Sequence, residues 1–257
     1  MKIKFALILA AAAIASCAWA VDFEAARAFA QGCSAYTNRN YQEAVEFYTK
    51  AHSAGLSSQE LFYDLGNAHY RCGNLGSAIA SYRRAELLDP RDADCTANLL
   101  RAQSQTEDNI AKKEVPGALR SFFFLYFYLG LYEQAKLAAA FWAAGWIFLA
   151  LFILKRNSGF GRFCKKLGVT FLVLFLLFFA FTACKYYFAS HEGVVTSDTV
   201  RIHAGPDASY TEIFILHSGA EVKIKDREGG WTKISVSQSD EEARSGWLEN
   251  DQIQSVL

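Results

Sequence analysis

Two uninterrupted apolar stretches dominate the pattern of hydrophobic and polar positions along the chain. Residues 137–154 and residues 167–184 each contain eighteen residues without a charged side chain. A helix of this length crosses the hydrocarbon core of a bilayer once its flanking residues are included. We therefore predict two transmembrane helices, over residues 134–154 and 167–187.

The connection between these stretches, residues 155–166, is strongly basic. Its five basic side chains, with no acidic one, are Lys155, Arg156, Arg162, Lys165 and Lys166. Because basic loops stay on the cytoplasmic side of a membrane, this loop is predicted to be cytoplasmic. Both outer flanks of the helical pair then lie on the opposite side.

A third apolar stretch, residues 119–132, is shorter and rich in aromatic residues, with Glu133 and Lys136 directly after it. A stretch of fourteen residues is short for a crossing. We interpret residues 119–133 as an interfacial helix lying along the membrane surface, or as a re-entrant one. A third crossing is the alternative, and it would put the two ends of the chain on opposite sides.

The first residues have the pattern of an export signal. Two lysines precede an apolar run over residues 5–15, and the triplet Ala-Trp-Ala then supplies a small-x-small cleavage site. This pattern is typical of a cleaved signal peptide, here residues 1–20, which agrees with the topology inferred from the basic loop. The alternative is a lipidation signal in which Cys17 becomes the mature N-terminus.

A regular spacing of small and large residues precedes the apolar stretches. Residues 25–58 and residues 59–92 align at one fixed offset. The alignment matches Gly32 with Gly66, Tyr36 with Tyr70, Asn40 with Asn74, Ala44 with Ala78, Tyr48 with Tyr82 and Ala51 with Ala85. Since glycine and alanine let two helices approach closely, the pattern predicts two helix–turn–helix units.

These units resemble the tetratricopeptide repeat (TPR) family. The resemblance implies an α-helical TPR array over residues 21–106, with repeats at 25–58 and 59–92 and a capping helix over 93–106. Residues 107–118 are interpreted as a linker. Two repeats are fewer than such arrays usually contain, so we expect this array to need a neighbour for stability.

The resemblance also implies a peptide-binding groove on the concave face of the array. The residues predicted to line it are Tyr36, Tyr63, Asn67, Tyr70, Arg71 and Arg101. Aromatic and arginine side chains are favoured as interface anchors, although Tyr36 and Tyr70 could instead only pack the stack. Tyr63 stands where the carboxylate-clamp members of the family have a lysine, which argues against recognition of a C-terminal carboxylate.

Residues 192–257 change to short alternating segments separated by glycine-rich turns, which predicts a small all-β barrel. The segments "VRIHAGP", "GGW" and "GWL" resemble the bacterial SH3 domain. Such domains bind peptides or peptidoglycan, or serve as assembly modules. The candidate ligand-surface residues are Tyr210, Trp231 and Trp247, with burial in the barrel core as the favoured alternative for the two tryptophans.

No catalytic, metal-binding or cofactor-binding pattern stands out in the sequence. The five histidines form no pair at metal-ligand spacing, and the six cysteines form no CxxC pair. We therefore predict a protein that is not an enzyme and that uses no cofactor. A disulfide among Cys33, Cys72 and Cys95 is conceivable after export, but burial in helix packing is the favoured interpretation.

The formal net charge is zero, but the charges are unevenly distributed. Residues 117–187 hold eight basic side chains and one acidic one, whereas residues 188–257 hold six and twelve. A basic, apolar middle between two mildly acidic ends is typical of a membrane protein and does not indicate a nucleic-acid partner. The lipid bilayer is the partner that the charge pattern predicts.

The order of the parts resembles the BatE-type proteins of the aerotolerance (Bat) operons. The resemblance implies a multidomain membrane protein: a TPR array, a transmembrane helical hairpin and a small all-β SH3-type barrel. It implies a scaffold that acts with a MoxR-type ATPase and von Willebrand A-domain membrane proteins in oxygen or envelope stress tolerance. The expected location is the bacterial inner membrane, with both terminal domains in the periplasm. A peptidoglycan-binding receptor is the alternative function.

Overall fold

The computed structural model of the protein describes residues 23–108, 110, 115–236 and 243–257. The predicted signal peptide and Cys17 lie outside these residues, as does part of the predicted linker. The described chain consists of an N-terminal helical array, two long apolar helices and a C-terminal antiparallel sheet. The predicted fold class is therefore confirmed at the level of these three parts.

Five helices form the first part, which we call the helical array. Helix α1 covers residues 23–37. Helices α2 to α5 are Tyr41–Ser53, Gln59–Arg71, Leu75–Leu88 and Ala93–Gln103. They follow the predicted units, with α1 and α2 in the first repeat and α3 and α4 in the second. The capping helix α5 begins where Asp92 accepts hydrogen bonds from the backbone of Asp94 and Cys95, and it ends at Gln103 rather than at residue 106.

The same glycine–tyrosine contact closes both repeats. A Cβ atom added to Gly66 would lie 2.6 Å from the ring of Tyr82, and one added to Gly32 would lie 2.5 Å from the ring of Tyr48. Both tyrosines are 1% exposed. The glycine of the first helix thus makes the space that the tyrosine of the second helix fills, at matching positions of the two units.

Four helices form the second part. Two short ones are α6, Gly117–Phe122, and α7, Phe124–Tyr128, and two long ones are α8, Leu131–Leu154, and α9, Gly159–Ser190. Helices α8 and α9 are long and apolar enough to cross a membrane, and only 11% of the most apolar segment of each is buried within the structure. They run outside the predicted bounds, since α8 starts at Leu131 and α9 takes in much of the predicted basic loop.

Close approach of backbones holds α8 against α9. A Cβ atom on Gly145 would lie 2.7 Å from Leu172, and one on Gly168 would lie 2.9 Å from Leu149. The ring of Phe171 stacks on that of Phe148 at a centroid distance of 5.5 Å. Small residues at helix contacts of this kind are typical of packing in lipid.

The aromatic segment forms two short helices that meet at Phe123, and not the single interfacial helix that we predicted. Neither α6 nor α7 is long enough to cross a bilayer. The segment is fastened beside the long helices, because Lys185 Nζ donates to the carbonyls of Tyr126 at 3.1 Å and Leu129 at 2.6 Å. Gln134 Nε2 donates to the same two carbonyls at 2.9 and 3.1 Å.

The third part, residues 192–257, has seven strands in its described residues, and we call it the sheet domain. Its first four strands are β1, Glu192–Val195; β2, Thr199–His203; β3, Glu212–His217; and β4, Glu221–Glu228. The others are β5, Trp231–Val236; β6, Arg244–Glu249; and β7, Ile253–Ser255, with a 3-10 helix over Asn250–Gln252 before β7. All pairs are antiparallel, in the order β3-β2-β6-β5-β4-β1-β7.

The sheet domain packs on the helical array. Val194 of β1 is fully buried and belongs to the same apolar cluster as the core of the repeats. A Cβ atom on Gly76 of α4 would lie 2.2 Å from the carbonyl oxygen of Val195, and the N–H of Gly76 donates to Ser218 Oγ at 3.0 Å. The neighbour that the short array was expected to need is therefore supplied by the chain itself.

A buried ion pair lies in this contact. Arg83 of α4 donates from Nε to Glu221 Oε2 at 2.8 Å and from Nη2 to Glu221 Oε1 at 2.9 Å. It also donates to Glu86 at 2.7 Å, and Gln103 donates to Glu221. Burial lowers the pKa of Arg83, but the charges and hydrogen bonds of Glu221 and Glu86 together raise it above its usual range.

The helical array also contacts the start of α8. Arg91 Nη2 donates to Glu133 Oε1 at 2.7 Å, and Tyr132 donates from its hydroxyl to Ser57 at 3.1 Å. Helix α9 meanwhile leads into β1 with only His191 between them. The helical array and the sheet domain therefore lie at the same end of the α8–α9 pair.

Candidate binding surfaces

The first helices of the repeats and α5 share a row of tyrosine and amide side chains. Asn67 Oδ1 accepts from the hydroxyl of Tyr82 at 2.8 Å and from Asn98 Nδ2 at 3.0 Å. Asn98 Nδ2 also donates to the hydroxyl of Tyr63 at 3.2 Å. This network joins Tyr63 and Asn67, two of the predicted groove residues, across α3 and α5.

A second group of predicted residues lies across α1 and α3. The rings of Tyr36 and Tyr41 meet edge-on at 5.2 Å, and the guanidinium of Arg71 lies 5.8 Å from the centroid of Tyr41. A hydrogen bond with Tyr36 raises the pKa of Arg71, which is already fully protonated in water. The fixed charge therefore sits beside two aromatic rings on an open surface.

Tyr70 lies near the far end of α3, where its hydroxyl accepts from Gln105 Nε2 at 2.6 Å. Arg101 is exposed on α5. The structure thus brings Tyr36 next to Arg71, and Tyr63 next to Asn67, while Tyr70 contacts a residue beyond α5. We call the set of the six predicted residues the groove.

Sequence reasoning missed Tyr41, Asn98 and Gln105. Asn98 had a usable signal, because it stands three residues before Arg101 on α5 and so shares its side of the helix, whereas Gln105 lies beyond the end of α5. Tyr41 had none, since it directly follows the turn and lies outside the matched positions of the repeat. Amides and phenols in this row can pair with the main chain of an extended peptide.

The sheet domain has a second polar surface. A cavity of about 200 Å3 is lined by Thr199, Arg201, His203, Trp231, Glu249 and Gln252. Trp231 meets His203 edge-on at 5.3 Å, and His203 Nδ1 lies 3.0 Å from the carbonyl oxygen of Tyr210. Of the three candidate residues, Trp231 therefore lines the cavity, where core burial had been favoured, and Tyr210 borders it through His203.

Trp247 is buried, with Lys233 Nζ lying 5.7 Å from its ring centroid. It pairs with His203 across β2 and β6. Because directly paired residues lie on the same face of a sheet, its indole lies on the face of His203, beside the cavity and not among the residues of the sheet domain's apolar core.

A metal-binding cluster does not assemble in the described ranges. No group of three or more His, Cys, Asp or Glu side chains is arranged there to hold a metal ion. Cys33, Cys72 and Cys95 are free thiols in this structure, and burial raises the pKa of Cys95 to about 12, which disfavours its thiolate form.

Comparison with known families agrees with the two domain assignments. Residues 59–92 match the tetratricopeptide repeat, and residues 198–254 match the bacterial SH3 domain. No curated protein matches the chain significantly. The protein therefore carries a TPR repeat and a bacterial SH3 domain, joined by two helices that are candidate membrane spans.

Proposed function

We propose that the protein is a non-catalytic, membrane-anchored scaffold that binds other envelope proteins. The observation that carries this proposal is the docking of the helical array on the sheet domain at one end of the α8–α9 pair. Both TPR and bacterial SH3 domains are interaction modules, and here they form one body above the membrane. Two binding surfaces in a fixed relation suit a protein that gathers partners.

The body faces the periplasm in this proposal, with the protein in the bacterial inner membrane. The basic residues between Lys155 and Lys166 lie at the opposite end of the helical pair, which favours a cytoplasmic position for that end. The export signal pattern favours the same orientation. Protease added to spheroplasts should digest both the helical array and the sheet domain, whereas protection of either one would contradict the orientation.

The finer assignment rests on the order of parts, which resembles the BatE-type proteins. On that assignment, the partners are von Willebrand A-domain membrane proteins and a MoxR-type ATPase system in oxygen or envelope stress tolerance. The groove is the proposed contact, because it combines aromatic rings with the fixed charge of Arg71.

The test is co-purification of membrane partners from detergent extracts. Tyr36→Ala combined with Arg71→Ala should remove them, because both side chains lie in one cluster at the surface, where Arg71 is exposed and Tyr36 is half-buried. Arg27→Ala is the matched control, since Arg27 lies nine residues before Tyr36 and so on the opposite side of α1. Partners that persist unchanged in the double variant would exclude the groove.

A second function is favoured by the cavity of the sheet domain. Its polar and aromatic lining suits a short peptide such as those of peptidoglycan, so we propose wall binding as the alternative role. Retention of the full-length protein on purified sacculi tests it, and a protein that washes off like a membrane protein without such a domain would refute it.

A further inference from the structure

The cavity of the sheet domain lies where two neighbouring strands separate. In the described part of the chain, β2 and β6 pair at a single position, His203 with Trp247. By contrast, β6 pairs with β5 along its whole length, from Arg244 to Glu249. The space between Thr199 and Arg201 on one side and Glu249 and Gln252 on the other is therefore a gap in the ladder, which we call the gap.

Main-chain groups of β2 point into the gap. The N–H of His217 donates to Asp108, so His217 and its partner Thr199 form a non-hydrogen-bonded pair of the β2–β3 ladder. In an antiparallel ladder such pairs alternate with hydrogen-bonded ones. The N–H and C=O groups of Thr199 and Arg201 are consequently turned away from β3 and toward the gap.

In the described residues, β6 does not pair with these main-chain groups from the opposite side of the gap. The N–H of Glu249, which would face β2, donates instead to Gln252 Oε1 within the same corner, at 3.3 Å. A strand with open main-chain groups is a template for an extended peptide. The volume of about 200 Å3 is below the range of about 300 to 1,000 Å3 for drug-sized ligands, so it suits a short segment.

Opposite charges border the gap. Arg201 is 67% exposed and makes one ion pair, from Nη1 to Glu212 Oε1 at 2.9 Å, which leaves further guanidinium donors for a carboxylate. Glu249 is exposed on the other side, and the ring of Trp231 beside it is a favourable surface for an ammonium group. The helical array contacts β1, β4 and β7, and these strands do not line the gap.

The geometry points to the gap as a binding site for a short peptide that carries both a free ammonium and a free carboxylate. The main-chain groups of β2 pair with its amides, Arg201 holds its carboxylate and Glu249 holds its ammonium. Soluble short peptides and the stem peptides of the cell wall share this chemistry. The inference deepens the second proposed function and rests on it for the source of the ligand.

The experiment uses the full-length protein in nanodiscs and calorimetric titration with trialanine, with free termini or with both termini blocked. We expect the free peptide to bind, and Arg201→Ala or Glu249→Gln to weaken the Kd about tenfold or more, since each removes a charge-assisted hydrogen bond. The blocked peptide should bind weakly, with no difference between wild type and either variant. Arg227→Ala, an exposed arginine on β4, is the control and should change nothing.

Two results would overturn the inference: no binding of free trialanine by the wild type, or variants in the gap that bind it like the control. Unchanged thermal unfolding of the variants excludes a folding defect. Retention on sacculi, measured with the same variants, separates the sources. A parallel loss of retention identifies the wall peptide, whereas unaffected retention together with weakened trialanine binding identifies a soluble peptide and leaves wall binding to another surface.

Discussion

Two contacts decide the shape of this protein, and they differ in what holds them. The contact between the helical array and the sheet domain contains the buried ion pair of Arg83 and Glu221, and backbone meets backbone at Gly76. The contact between α8 and α9 contains glycines, leucines and stacked phenylalanines. The first can be weakened by removing one charge, whereas the second depends mainly on shape, with one charged contact from Lys165 Nζ to the ring of Phe152 at 5.8 Å.

The largest expected effect is that of Arg83→Ala. The Arg83 and Glu221 side chains are 10% and 17% exposed, and removal of one partner of a buried pair costs about 3 to 5 kcal/mol. We expect faster hydrogen exchange in β1 and α4 of the full-length protein. Arg91→Ala is the matched control, because the Arg91–Glu133 pair is 35% and 39% exposed, and exposed pairs contribute about 0 to 1 kcal/mol. If the two variants lose the same amount of protection, the Arg83–Glu221 pair contributes no more to stability than an exposed ion pair does.

Gly76→Ala should rank next. Its new methyl group would meet the carbonyl oxygen of Val195 at 2.2 Å, and a backbone atom cannot rotate away. Overpacking of this kind costs about 1 to 3 kcal/mol. The measurement is again hydrogen exchange in β1. If its amides are as protected in the variant as in the wild type, the helical array and the sheet domain can adjust to the extra methyl group without loss of stability.

Gly145→Ala carries the same substitution into the helical pair. There the methyl group would meet the side chain of Leu172 at 2.7 Å, and that side chain can change rotamer. We expect a loss below about 1.5 kcal/mol, read from the SDS concentration that unfolds the pair in mixed micelles. A loss larger than that of Gly76→Ala would reverse the comparison.

The smallest effect concerns pH. The hydrogen bond with Asp108 raises the pKa of His217, and Glu107 lies 3.5 Å from its Nε2 atom. A raised pKa means that this stabilisation is complete below the unfolded value of about 6.5 and is lost as the pH rises through the folded value. The free energy of unfolding of the wild type, minus that of His217→Gln, should therefore decrease as the pH is raised from acidic to alkaline values.

His69 acts in the opposite direction, since burial lowers its pKa to about 4. The contribution of His69 to stability is lost as the pH falls from about 6.5 toward that value. The pH dependence of the wild type alone would therefore combine the effects of His69 and His217. A wild-type minus His217→Gln difference that grows with pH would contradict the assignment of the Asp108 contact.

The repeats and the helical pair could be predicted because their signals are local. Gly32 and Gly66, with Tyr48 and Tyr82, recur at one offset, and an apolar run needs no partner to be recognised. The docking of the sheet domain could not be predicted, because Arg83 and Glu221 are 138 residues apart and neither is unusual in its own segment. The break at Phe123 was missed for a different reason, since the segment after it is held by Lys185, which donates to the carbonyls of Tyr126 and Leu129 from a distant position in the chain.

In the candidate sites, the sequence indicated residue types but not which other residues they contact. The pattern of the repeats selected Tyr63 and Asn67, while Asn98, which joins them, belongs to a helix outside the matched repeats. The gap depends on the register of β2 against β3 and β6, and register is set by packing over the whole sheet.

Helix α9 has 32 residues, which corresponds to about 48 Å, against about 30 Å for the hydrocarbon core of a bilayer. It enters β1 after a single residue, so a rod longer than the membrane is fused to the domain above it. A change of tilt or twist imposed on its Gly159 end would therefore move the sheet domain, and through Arg83 the repeats.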